Sequence, residues 1–158
     1  ILLDQDEQIQ NNSIFKPFLI FSFLALIVIL LTIKDYKNNK RNKVLDTVIF
    51  GITGITGIIV LLLWFATDHS ATANNFNILW AFAPNLIFAF IINKDRLISY
   101  YYIFTLLALL DILVLLWIFQ FQVFAIGLIP ILIGLYTRYI YLWIFFKNKT
   151  KEQNLQIE

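Results

Sequence analysis

The chain has 158 residues, a formal net charge of +2, 60% hydrophobic residues and a mean hydropathy of +0.79. Soluble globular domains are about 45–50% apolar, so this composition excludes an ordinary water-soluble domain and predicts a polytopic membrane protein. There is no Cys, which excludes disulfides, thiolate metal sites and thiol nucleophiles. The basic residues form short clusters beside apolar runs rather than a separate basic domain, so no nucleic-acid partner is expected.

Residues 1–13 carry Asp4, Asp6, Glu7 and the pair Asn11-Asn12. They lack the basic start and apolar stretch of a signal peptide, and they read as a periplasmic linker leaving an upstream domain. The absence of Met fits the same expectation, that the chain belongs to a longer protein. The first span is expected over residues 14–33, with Pro17 in its first turn, where a missing N–H costs nothing. Residues 34–43 hold five cations against one acid, which places this loop in the cytoplasm by the positive-inside rule.

The second span is expected over residues 44–66. Gly51, Gly54 and Gly57, with Thr53 and Thr56 between them, form a face on which another helix can pack closely. The third span, residues 76–92, is interrupted by Pro84 and Asn85. From Ile78 to Ile92 it covers only about 22 Å of a hydrocarbon core of about 30 Å. Either its ends snorkel through Lys94 and Arg96 or the segment is re-entrant, and the charge pattern favours a crossing.

The fourth span, residues 99–119, opens on Tyr100, Tyr101 and Tyr102, which suit the membrane interface. The fifth, residues 124–146, contains Gly127, Pro130 and Gly134, and residues 147–158 read as a polar cytoplasmic tail. Ten of the twelve basic residues then fall on one side. The expected fold is an all-α bundle of five transmembrane helices in a bacterial inner membrane, N-terminus periplasmic and C-terminus cytoplasmic.

Among the polar residues inside spans, Asn85, Asp111 and Arg138 stand out. A charge at the bilayer centre costs about 2.5–3.5 kcal/mol on insertion scales, so Asp111 and Arg138 are expected to pair and set helix register, with a proton or substrate pathway as the alternative. Asn85 is expected to satisfy the backbone defect left by Pro84 or to donate to a neighbouring helix. The stretch from Thr67 to Trp80 holds the only His, His69, beside Asp68. One His without Cys is a poor metal site, adjacent side chains diverge, and no cofactor is expected. Capping by Asp68, Thr72, Asn75 or Asn77, with Trp64 and Trp80 at the interface, explains the stretch better than catalysis does. Docking of a periplasmic domain or a lipid headgroup is the functional alternative.

The basic first loop, the Gly-bearing second span, and the pattern Thr67-Asp68-His69, Thr72, Asn75, Asn77 and Trp80 together resemble the C-terminal five-helix membrane domain of the Lnb-like proteins of Bacteroidota. The resemblance covers nearly the whole chain, and its specific part is that one pattern. It implies an upstream periplasmic domain of thiol-protease-like character, whose Cys is catalytic. It also implies that the parent protein is a lipoprotein N-acyltransferase, which moves an acyl chain from phospholipid to the amino group of the lipoprotein's N-terminal Cys. No catalytic residue carries over to this chain. Its implied role is to anchor that domain and present membrane phospholipid to it. A structural inner-membrane subunit of a larger envelope complex, and a small transporter built on Asp111 and Arg138, are the alternatives.

Overall fold

The computed structural model describes residues 2–66, 75–92 and 96–154, and the side chains of 17–66, 75–92 and 96–150. All regular elements among these residues are helical: α1 (Leu2–Lys37), α2 (Lys43–Phe65), a 3-10 turn (Phe76–Leu79), α3 (Asn85–Ile91), α4 (Arg96–Ile118) and α5 (Leu128–Asn154). Four stretches are long and apolar enough to cross a membrane: Pro17–Lys37, Lys43–Phe65, Arg96–Ile118 and Leu128–Thr150. α1 runs back to Leu2 through the segment expected as a linker, so Pro17 lies inside a helix rather than in its first turn. At the other end α5 continues to Asn154, so most of the expected tail is helical.

Two of the helices stop the same way. Asn39 (φ 49°) and Gln120 (φ 58°) adopt the left-handed conformation. The amide of Lys40 donates to Asp35 O and that of Phe121 to Leu116 O, 3.0 Å each, as in a Schellman stop. α2 then starts on Asn42, whose side chain accepts from the amide of Leu45 at 3.1 Å.

α5 lies between α1 and α4, and α2 packs on α3. The core is built from Phe50 of α2, Phe88 of α3 and Ile92 just after it, Ile103, Leu106, Leu110 and Leu113 of α4, and Leu132, Leu135, Tyr139 and Leu142 of α5. Large apolar side chains such as Leu19, Phe23, Ile52, Phe65, Phe90 and Phe104 point outward, the surface expected of helices solvated by lipid.

The third apolar segment is not one helix. After the 3-10 turn the chain passes through Ala81–Pro84, and only the seven residues of α3 follow. Pro84 explains the break, since it has no N–H to continue the ladder. The segment still runs from one end of the bundle to the other. Asn77 and Trp80 border a cleft with Pro17 and Gly127, whereas Ile92 borders another with Arg41 and Arg96. Non-helical backbone is tolerated at this depth only when protein covers it, and α2 covers it here. A Cβ added at Gly54 would collide with the backbone of Leu86, and one at Gly57 with Ala81 O and Ala83 N.

Gly51 departs from the expected packing face: a Cβ there would meet nothing within 4 Å. Six residues separate Gly51 from Gly57, so at about 100° per residue the two stand about 120° apart on the helix, and the covered backbone does not reach round to Gly51. Replacing Gly54 or Gly57 by Ala is expected to destabilise the protein by about 1–3 kcal/mol through overpacking. Gly51→Ala should leave stability unchanged or raise it by up to about 1 kcal/mol through helix propensity. Thermal unfolding of the three variants in detergent checks this ordering.

Candidate functional site

The two ends of the bundle differ in chemistry. At the end where α1 finishes and α2 begins, four charged side chains meet. Arg138 of α5 is wholly buried. Its Nε and Nη2 both approach Asp46 Oδ1 at 2.7 Å, and its Nη1 reaches Asp35 Oδ2 at 2.8 Å. Nη1 also lies 3.4 Å from Thr32 Oγ1, and Nη2 donates to Asn42 O at 3.3 Å. Asp46 meets a second guanidinium through its other oxygen, Arg41 Nε at 2.9 Å. Asp35 Oδ2 also accepts from the amide of Asn42 at 2.7 Å, so the loop between α1 and α2 is tied into the cluster. Tyr141, which lies under the Arg138 guanidinium, donates to Lys40 O at 2.5 Å.

Two cations and two anions balance formally, which buried charges require. Arg41 also stacks on Phe146, 5.1 Å from the ring centre. Burial pulls its guanidinium below the usual arginine range; Asp46 opposes that pull and Arg138 adds to it.

The expected pairing of Arg138 with Asp111 is therefore corrected. Asp111 accepts instead from Tyr136 Oη at 2.6 Å, on an exposed face. The guanidinium of Arg138 reaches toward the charged end of the bundle, as long basic side chains do in membranes, and so moves away from a residue midway along α4. Asp35 and Asp46, the partners it takes, had a signal in the sequence: each is an acid at a helix end within the most basic stretch of the chain.

Midway through the bundle a second polar group links α2, α3 and α4. Asn85 is fully buried, donates to Thr53 Oγ1 at 2.9 Å and accepts from Tyr102 Oη at 2.7 Å. Asn85 thus does donate to a neighbouring helix. Tyr102 faces inward, stacked on Phe88, so of the expected aromatic girdle it is Tyr101 that is exposed.

At the far end Asn75 caps the 3-10 turn, accepting from Asn77 N at 3.1 Å and Asn77 Nδ2 at 2.8 Å. Asn77 Oδ1 in turn accepts from the Trp80 indole at 2.8 Å. Gln122, which the sequence did not single out, accepts from Phe76 N at 2.8 Å and fastens this turn to the α4–α5 connection. Beside it opens an apolar cleft of about 810 Å³, walled by Phe18 and Phe21 of α1, Trp80, Gly127, and Leu128 and Ile131 at the start of α5. Thr67, Asp68, His69 and Thr72 lie outside the described residues. Among the described residues no three His, Cys, Asp or Glu side chains converge on a metal-sized site. A cleft of this kind can hold an alkyl chain, with the second N–H of the Asn77 amide at its rim to meet a polar end.

Span-length apolar helices around a small set of polar contacts define a multi-pass membrane domain. Residues 9–150 match the family model of the Lnb transmembrane domain, and the chain belongs to that family. Comparison with curated proteins and with solved structures finds no match.

Breaking the buried cluster is the most costly single change to expect. Arg138→Ala leaves Asp46 buried against one guanidinium and should destabilise by about 3–5 kcal/mol. Asp111→Asn removes one exposed hydrogen bond and should cost about 1 kcal/mol or less. Denaturation in mixed micelles, comparing the two variants with the parent, measures the difference.

Proposed function

We propose that this chain is the membrane domain of an Lnb-like lipoprotein N-acyltransferase, and that it anchors a periplasmic catalytic domain and presents phospholipid to it. The observation that carries the lipid-presenting role is the apolar cleft beside Asn77 and Trp80, at the end remote from the basic loop. In this reading the basic end is cytoplasmic, the chain crosses the inner membrane of a Bacteroidota cell five times, and the broken segment carrying α3 is the third crossing. The cleft then opens toward the outer leaflet, next to the turn that carries Asn77 and Trp80. An acyl chain of the donor lipid lies in it, and the ester to be attacked stands at the membrane surface, where the Cys of the upstream domain reaches it. The partners are membrane phospholipid, that upstream domain, and the lipoprotein acceptor.

The transporter alternative loses its support, because Arg138 is neutralised by Asp35 and Asp46 rather than paired with Asp111.

The test is mass spectrometry of lipoprotein N-termini in a strain deleted for the gene and complemented with variants. Deletion should abolish the N-linked acyl chain. Gly127→Trp, which fills the cleft beside Phe21, should insert normally and lower N-acylation by about tenfold or more, the loss expected when a substrate is misplaced near the reacting group. Unchanged N-acylation in the deletion strain would remove the acyltransferase reading. Full activity of Gly127→Trp would leave only the anchoring role.

A further inference from the structure

We infer that the cleft at the basic end is a binding site for the phosphate of an anionic glycerophospholipid. It measures about 400 Å³, and cations from three separate parts of the chain line it: Lys40 and Arg41 in the α1–α2 loop, Lys43 at the start of α2, and Arg96 at the start of α4. Among the described residues, Lys40, Lys43 and Arg96 form no ion pair, and all three are exposed. Among the described residues the acids nearby are already committed: Asp35 to Arg138, and Asp46 to Arg138 and Arg41. Positive potential therefore concentrates at this cleft.

Two further features select the ligand. α2 and α4 both begin at the cleft, so the partial positive charge of two helix N-termini adds to that of the side chains. The floor is apolar, formed by Ile92 and Phe146, both nearly fully buried, with Phe145 beside them. A free phosphate gains nothing from such a floor, whereas the glycerol and upper acyl segments of a lipid do. Orienting helices in the membrane needs only cations in the loop. It does not need cations from α2 and α4 converging on one cleft. Basic pockets between transmembrane helices are where anionic headgroups bind.

The site lies at the opposite end of the bundle from the acyl-chain cleft and does not depend on the acyltransferase reading. Arg41 belongs both to this cleft and to the buried cluster, so a bound lipid would hold the α1–α2 loop in place.

The experiment is lipid binding to the purified protein, by native mass spectrometry and by thermal unfolding in micelles doped with phosphatidylglycerol, phosphatidylcholine or inorganic phosphate. We expect at least about tenfold preference for phosphatidylglycerol over phosphatidylcholine, a raised Tm with the former only, and no effect of millimolar inorganic phosphate. Lys40→Gln/Lys43→Gln/Arg96→Gln should reduce the preference to about onefold, while Lys34→Gln/Lys37→Gln/Lys147→Gln, which removes equal charge outside the cleft, should keep it. Should the first triple variant fail to fold, Arg96→Gln alone should lower the preference about twofold, the share of one cation among three in a tenfold total. Equal loss in both triple variants, no preference in the parent protein, or stabilisation by inorganic phosphate in place of lipid would each overturn the proposal.

Discussion

A guanidinium sealed from water has to be neutralised where it sits, and the carboxylates that neutralise Arg138 come from two other helices. The position of α1 depends on this contact. Of its described side chains only Ala25, Thr32 and Asp35 are buried; the last two meet Arg138, and the first lies against Gly134. In lipid, apolar side chains gain little by leaving one hydrocarbon environment for another, so helices associate through close packing and polar contacts. α1 has one of each on α5. The same guanidinium reaches Asn42 O, at the cap of α2, and so joins α1, α2 and α5 at a single point.

The middle of the bundle meets a different constraint, the exposed backbone around Pro84. Gly54 and Gly57 let α2 lie directly on that backbone, and Asn85 uses its amide to join Thr53 and Tyr102. The broken segment is therefore held from both sides, by close contact and by hydrogen bonds. Because α3 is short, the preceding turn is left to border the apolar cleft, where Asn75, Asn77 and Gln122 fix its shape. A continuous third helix would place Trp80 elsewhere. The proline break and the cleft are in that sense one feature.

The long apolar runs of α1, α2, α4 and α5 were legible from composition alone, with limits displaced by a few residues, because apolar length decides what crosses a bilayer. Gly54 and Gly57 were legible as a packing face, although only Gly54 meets a helix, at the first turn of α3, and Gly57 meets the turn before it. Asn75 was legible as a cap and Asn85 as a donor, since both act within a few residues of a visible backbone break. The partner of Arg138 was not. Depth along two helices says how high a side chain stands, but not which way it faces or how far it reaches, and Asp35 and Asp46 lie 103 and 92 residues away in the chain. Gln122 was missed for a related reason: its amide acts on a turn 46 residues distant.

That separation has a consequence for how the protein is made. Synthesis runs from the N-terminus, so α1 and α2 leave the ribosome long before α5 exists. Until Arg138 arrives, Asp35 and Asp46 have only Arg41 and the basic loop around them to offset their charge, and both stand near the ends of their helices, within reach of headgroup and water. The α1–α2 pair can therefore enter the bilayer early but cannot settle into its final position. The insertion of the last helix delivers the missing cation and closes the domain. Assembly of this bundle thus has a defined final step, and a chain truncated before residue 138 would leave two carboxylates at the membrane border with no partner from α5.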